Sequence, residues 1–249
     1  HLINGYIHCI YSNNTDIIIG TRDGLLVFNP ITESFERLSV YFKNKLINNL
    51  ENHRIFRIIQ DKKMNYWIAT ERGLYCFNKD FIQIDLLNTE SQPFNITNNL
   101  VYNIVEDKEG CIWVATSIGL NCYNPIEKKI DHFLKEDNNK NSLCDNFVVS
   151  LCVDYLGNIW IGTQTGANYY NKKTKTFDYF SKQNGLPDNL VYEIIEDNNH
   201  NIWFATSNGL AMYDTDNKHF RKYTIFDGLQ GYEYNLNAKY VAKDGEIFI

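Results

Sequence analysis

No stretch of this 249-residue chain holds the roughly 20 consecutive apolar residues that cross a bilayer as a helix. Runs of basic residues are missing too. With a net charge of −6 and its Lys and Arg residues scattered, the chain lacks the electrostatic footprint that attracts phosphates, so direct nucleic acid binding by this region is not expected. Proline is scarce, at 4 residues, and no Pro/Ser-rich linker or composition break divides the chain, which predicts one domain over residues 1–249. The six cysteines form no Cys-x-x-Cys pair and no His/Cys spacing suited to zinc, so no metal or other cofactor is expected. Helix-length apolar runs at 3.6-residue spacing are also lacking, and β-branched and aromatic residues dominate instead. The chain opens at His1 without an initiator Met or a signal-like segment, as expected of a piece of something longer. Membrane attachment would then run only through segments outside this piece.

What the chain does have is one phrase written five times. The copies are Ile18-Ile19-Gly20-Thr21-Arg22-Asp23-Gly24, Trp67-Ile68-Ala69-Thr70-Glu71-Arg72-Gly73, Trp113-Val114-Ala115-Thr116-Ser117-Ile118-Gly119, Trp160-Ile161-Gly162-Thr163-Gln164-Thr165-Gly166 and Trp203-Phe204-Ala205-Thr206-Ser207-Asn208-Gly209. Their threonines recur every 43 to 49 residues, within the range of about 40 to 50 that marks propeller blades. Each copy sits among four short strand candidates broken by turn signals, as in Val101–Glu106, Ile112–Thr116, Leu120–Asn124 and Lys129–Leu134. The predicted fold is therefore an all-β propeller of four-stranded antiparallel blades. Five full repeats occupy approximately 5–38, 53–86, 100–134, 147–180 and 190–223, and a partial sixth occupies 237–249.

Within the repeat, offsets counted from the Thr assign structural roles. Gly at +3 permits positive φ in the turn, and the Thr hydroxyl can bond that turn. Asp61, Asp107, Asp154 and Asp197 at −9 suit the preceding turn. The calcium-loop alternative at Asp197-Asn198-Asn199-His200-Asn201 lacks the Gly and closing Glu of an EF-hand. The Trp residues at −3 are expected to wedge between blades. Cys76 and Cys122 at +6, Cys9 at −12 and Cys152 at −11 fall in core slots and read as free structural thiols, while Cys111 and Cys144 lie in or beside turns and stay undecided.

These residues carry a family resemblance. The run Gly185-Leu186-Pro187-Asp188-Asn189-Leu190-Val191-Tyr192-Glu193-Ile194-Ile195-Glu196-Asp197, followed by Asn201-Ile202-Trp203-Phe204-Ala205-Thr206-Ser207-Asn208-Gly209-Leu210, resembles the two-component-regulator propeller repeat of periplasmic sensor regions in Bacteroidetes hybrid two-component systems. The segment from Gly228-Leu229-Gln230 to Ile249 is similar to a further, incomplete blade. The resemblance implies a membrane-spanning parent with two seven-bladed propellers outside, an immunoglobulin-like module, a histidine kinase and a response regulator that binds DNA. It also implies a periplasmic location, a homodimer formed through the parent, and detection of glycan-derived oligosaccharides that switches on polysaccharide-utilisation genes. Five blades and part of a sixth would then be a fragment of a seven-bladed disk, with a sheet edge left open; a sealed ring of five would contradict this.

Positions where the copies disagree are the candidates for function. At −13 the inner strand is polar in every copy: His8, Arg57, Asn103, Ser150 and Glu193, a predicted channel lining with either specificity or plain solvation as its role. Loops 42–52, 88–99 and 135–146 can carry binding groups on the rigid scaffold. Arg22, Arg57, Arg72, Tyr232 and Tyr234 are the ligand-binding candidates, because Arg forks suit anionic sugars and aromatic rings suit sugar C–H faces. Two other classes remain open: a propeller lyase or glycosidase drawing on Glu193 and His8, and a protein-interaction scaffold.

Overall fold

A computed structural model describes residues 6–13, 16–41, 50–231, 234–237, 239–242 and 244–249. It contains five four-stranded antiparallel sheets and one two-stranded hairpin. In chain order the strands of the first sheet are β1 (Ile7–Ser12), β2 (Ile17–Thr21), β3 (Gly24–Asn29) and β4 (Ser34–Arg37), and a single turn of helix, α1 (Leu38–Tyr41), follows it. The second comprises β5 (Ile55–Gln60), β6 (Tyr66–Thr70), β7 (Gly73–Phe77) and β8 (Gln83–Leu87). The third comprises β9 (Val101–Glu106), β10 (Ile112–Thr116), β11 (Gly119–Asn124) and β12 (Lys129–Phe133). The fourth comprises β13 (Val148–Val153), β14 (Ile159–Thr163), β15 (Ala167–Asn171) and β16 (Thr176–Phe180), and the fifth β17 (Val191–Glu196), β18 (Ile202–Thr206), β19 (Gly209–Asp214) and β20 (His219–Tyr223). The hairpin is β21 (Tyr240–Val241) with β22 (Ile247–Phe248). Each four-stranded sheet is a meander in which sequence neighbours pair, the arrangement of a propeller blade.

The repeated phrase builds the turn between the second and third strands. In all five sheets the Thr hydroxyl donates to the Gly carbonyl at 2.8 to 2.9 Å. The same oxygen accepts the backbone N–H two residues on, at 3.0 to 3.2 Å. Gly24, Gly73, Gly119, Gly166 and Gly209 hold φ between +99° and +153°, a region that a side chain rarely adopts. The residue just before the Thr is Gly or Ala because the next sheet's inner strand passes close by. A Cβ on Gly162 would meet Ser150 Oγ at 2.1 Å and the Val191 carbonyl at 2.9 Å.

Innermost strands of successive sheets lie side by side, β1 with β5, β5 with β9, β9 with β13 and β13 with β17. The core is correspondingly divided into four clusters, each shared by two adjacent sheets. Trp67, Trp113 and Trp160 are 2 to 3% exposed and each faces the following sheet, so they act as the expected wedges. All six cysteines are free thiols, Cys9 and Cys76 fully in the core. The five sheets do not seal a ring by themselves. The hairpin stands between the fifth sheet and the first, with a cleft of about 720 Å³ toward Trp203 and Leu210 and another of about 640 Å³ toward His8 and Ile10. Ile10 on β1 is 64% exposed at that second cleft.

Candidate functional site

The inner strands are where the repeats both converge and differ. Each carries a bulge near its start, which leaves one residue out of the ladder and places the next opposite the small Gly or Ala of the second strand. Arg57 thus pairs with Ala69, Asn103 with Ala115, Ser150 with Gly162 and Glu193 with Ala205. In the first sheet the residue in that row is Cys9, opposite Gly20. His8 therefore does not belong to the predicted row. The β1–β2 turn is one residue shorter than its counterparts, since Ser12 pairs with Ile17 whereas Gln60 pairs with Tyr66. Counting back from Thr21 through that turn overshoots by one, and His8 occupies the bulge slot that Phe56, Tyr102, Val149 and Tyr192 fill elsewhere.

Along the row, Asn103, Ser150 and Glu193 are fully buried, and Arg57 is partly buried. The chain's own C-terminal segment covers them. Asn237 accepts a 2.7 Å hydrogen bond from the Asn103 amide and donates to the carbonyls of Phe56 and Tyr102 at 2.9 and 3.1 Å. Lys239 Nζ lies 2.7 Å from Glu193 Oε1 and donates to the Ile194 carbonyl at 2.9 Å. Polar side chains that vary between copies are here stitched to residues far along the chain. Glu193, offered by its position as an acid or base, is committed to this ion pair.

The bulge slot instead forms an aromatic arc. His8 and Phe56 have ring centroids 5.7 Å apart, Phe56 and Tyr102 5.2 Å, and Tyr102 and Phe147 5.2 Å. Arg54 lies over the Phe56 ring at 5.9 Å, within cation–π reach. Burial, and then the charges of Arg54 and Arg22, hold the His8 imidazole below its ordinary value, so it is neutral at pH 7. The buried atoms His8 Nε2, Arg54 Nε and Arg57 Nε have no hydrogen-bond partner among the described residues. This patch brings together Arg22 and His8 from the sequence candidates and adds Arg54, Phe56 and Tyr102, which were missed because apolar residues beside the polar row read as core; Arg57 stands instead in the polar row, near Cys9. An anion with a flat apolar face would satisfy both the guanidinium groups and the rings.

The remaining candidates fall elsewhere. Arg72 is exposed and lowers the pKa of His53, after burial of that ring. Tyr234 borders the cleft beside Trp203 and Leu210, remote from the arginines; its hydroxyl is buried without a partner among the described residues. Tyr232 lies outside the described residues. Of the loops expected to carry binding groups, 88–99 and 135–146 are held by structural bonds, as is the equivalent 182–189, while residues 42–49 of the other lie outside the described residues. Asn99, Asn146 and Asn189 accept the N–H groups of Thr89, Lys135 and Lys182, and Ile96, Leu143 and Leu186 plug the core beneath. The shared spacing of Ile96 and Asn99, Leu143 and Asn146, and Leu186 and Asn189 is thus a loop anchor.

A family model described as two component regulator propeller matches residues 95–117, 142–165 and 185–208. No curated protein matches the chain. Among solved structures, the chain is similar to the extracellular domain of a putative hybrid two component system from B. thetaiotaomicron, with 21% identity, a TM-score of 0.75, and coverage of 99% of this chain and 38% of that one. The extracellular domain of a putative one component system from the same organism matches at 20% identity and a TM-score of 0.77, covering 99% of this chain and 32% of that one. Virginiamycin B lyase from Staphylococcus aureus shares the fold at 11% identity and a TM-score of 0.65, covering 98% and 83%. The chain spans about a third of the length of each of the first two. The chain is thus a β-propeller in which three segments match the two component regulator propeller repeat.

Proposed function

We propose that this chain is a non-catalytic ligand-sensing propeller from the extracytoplasmic, periplasmic part of a hybrid two-component signalling protein anchored in the inner membrane. The observation that carries the reading is the series of three repeats matching the two component regulator propeller model within a scaffold similar to extracellular domains of such systems. The parent is a histidine kinase that signals as a homodimer, and its output is control of polysaccharide-utilisation genes. The ligand is an oligosaccharide released from a glycan, engaged where Arg54 lies over the Phe56 ring, beside Tyr102 and close to His8 and Arg22. Guanidinium groups with unpaired donors beside aromatic rings favour an anionic sugar over a neutral one.

Calorimetric titration of the whole extracytoplasmic region against a panel of neutral and acidic glycan oligosaccharides tests this. Binding of an acidic member, weakened at least about tenfold by Arg54→Ala, is the expected result, corresponding to loss of one charge-assisted contact. No binding across the panel would overturn the sensing assignment.

A further inference from the structure

The fourth blade breaks the repeat in one place, and a cleft opens there. In the second, third and fifth sheets the wedge Trp is opposed across the ladder by Cys76, Cys122 and Met212. Its indole N–H donates to the turn Asp, at 2.9 Å for Trp67 to Asp61, 2.8 Å for Trp113 to Asp107 and 2.8 Å for Trp203 to Asp197. In the fourth sheet the opposing residue is Tyr169, whose ring lies 4.7 Å from that of Trp160. Trp160 is 3% exposed, yet its N–H has no partner among the described residues. Asp154 uses Oδ1 for the N–H groups of Leu156 and Asn158 and makes no bond to the indole.

A buried donor left unpaired costs about 1 to 3 kcal/mol, and three sister blades avoid that cost with the same Asp and Trp. Around Trp160 lies a cleft of about 460 Å³ between the fourth and fifth sheets. Its walls are aromatic, with Trp160, Tyr169, Phe180 and Tyr213, and the carboxylates of Asp154 and Asp178 also line it. Glu196 and His200 border it too, but they are occupied with each other at 3.1 Å, and His200 stacks on Tyr155. Lys218 also lines the cleft. Burial, and after it the charges of Asp154 and Asp178, push the Tyr169 hydroxyl up to about 12.

We infer that this inter-blade cleft binds a small hydroxylated ammonium compound, its cationic head held against the aromatic rings and the Asp154 and Asp178 carboxylates while its hydroxyl oxygen accepts the Trp160 N–H. Aromatic faces attract ammonium groups through the ring quadrupole, most strongly where water is excluded. Carboxylates at the same cleft add to that attraction, and an adjoining oxygen supplies the acceptor that Trp160 lacks. The site is separate from the arginine patch and favours ligands of opposite charge.

Isothermal titration of the intact protein with choline tests the inference, with two comparison probes. One is 3,3-dimethylbutan-1-ol, the uncharged isostere; the other is tetramethylammonium, which keeps the charge and lacks the hydroxyl. Choline is expected to bind at one saturable site, with both comparison probes at least about fivefold weaker. Tyr169→Cys, which restores the residue of the second and third blades, is expected to weaken choline about tenfold or more. Asp178→Asn, at an exposed position where folding is not at stake, is expected to weaken it about threefold to tenfold. The inference is overturned if choline gives no saturable heat, if the uncharged isostere or a neutral monosaccharide binds as well as choline, or if both variants bind as the parent does.

Discussion

The four turn aspartates are an internal control for what the repeat contributes to stability, because the same residue at the same offset makes three different sets of bonds. Asp107 is 1% exposed and accepts from the N–H groups of Glu109 and Cys111, from the Trp113 indole at 2.8 Å, and from Lys172 at 2.6 Å. Asp61 accepts two backbone N–H groups, the Asn65 amide and the Trp67 indole, and Asp197 does the same with Asn199, Asn201 and Trp203. Asp154 accepts only the N–H groups of Leu156 and Asn158. Hydrogen bonds to a charged acceptor contribute about 1.5 to 3 kcal/mol each, with strong non-additivity inside one group. Removing one partner of a buried ion pair costs about 3 to 5 kcal/mol, and the quarter exposure of the Lys172 side chain puts Asp107 at the low end of that range. The expected losses for substitution by Ala are therefore about 3 kcal/mol at Asp107, about 2 at Asp61 and Asp197, and about 1 at Asp154. Urea unfolding followed by Trp fluorescence reads them. With a slope of about 3 kcal/mol per molar, Asp107→Ala moves the midpoint by about 1 M and Asp154→Ala by about 0.3 M, provided the slope is unchanged. Equal losses at all four positions, or the largest at Asp154, would refute the reasoning from bond count and charge.

Three further outcomes follow from the same geometry. Burial alone would raise the Asp107 carboxyl, but Lys172, the Trp113 indole and the Cys111 N–H outweigh it and leave it below its ordinary value; its contribution is complete above the unfolded-chain value near pH 4 and fades as pH falls through the lower folded value, so parent and Asp107→Ala should converge in stability as pH falls below about 4 in an acid titration of urea midpoints. Lys239→Met strands the fully buried Glu193 carboxylate and should cost about 3 kcal/mol by thermal or urea unfolding, with Glu193→Gln in the same chain recovering much of it; equal losses in single and double variants would show that Lys239 acts through packing alone. Burial pushes the Cys9 thiol up to about 12 and that of Cys152 to about 11, so iodoacetamide at pH 8 should leave both unlabelled in the folded protein and label all six cysteines after denaturation, read by mass spectrometry.

Thr, Gly, Asp and Trp of the repeat were legible because each serves bonds closed within a few residues, and local chemistry repeats at a fixed offset. The fold class followed from them, as did the role of Trp67 and Trp113. His8 was misplaced for the converse reason. Its offset was counted across a turn one residue shorter than its four counterparts, and register in a strand shifts wholesale when a turn loses a residue. Asn103 and Glu193 were recognised as unusual, but their partners Asn237 and Lys239 lie 134 and 46 residues away. No local pattern announces such pairings.

The fourth blade shows how far comparison between copies can reach once the partners are known. Asp154 and Trp160 keep the spacing of the other blades, so the sequence phrase looks intact there; the change sits across the ladder at Tyr169, where Cys or Met stands in the second, third and fifth sheets. A large polar aromatic in that slot brings an acceptor-poor ring beside the indole and leaves a buried N–H without its usual carboxylate. Repetition makes this informative, because three blades show the bond that this sequence phrase forms by default and so measure what the fourth gives up. A scaffold position tolerates such a loss only if something else offsets it. If the offset is packing alone, Tyr169→Cys should restore the Trp160 to Asp154 bond and raise the unfolding midpoint with no change in binding. If the cleft is a site, the same substitution should raise stability and weaken choline binding together, the exchange of stability for function that places a departure from the repeat at a ligand.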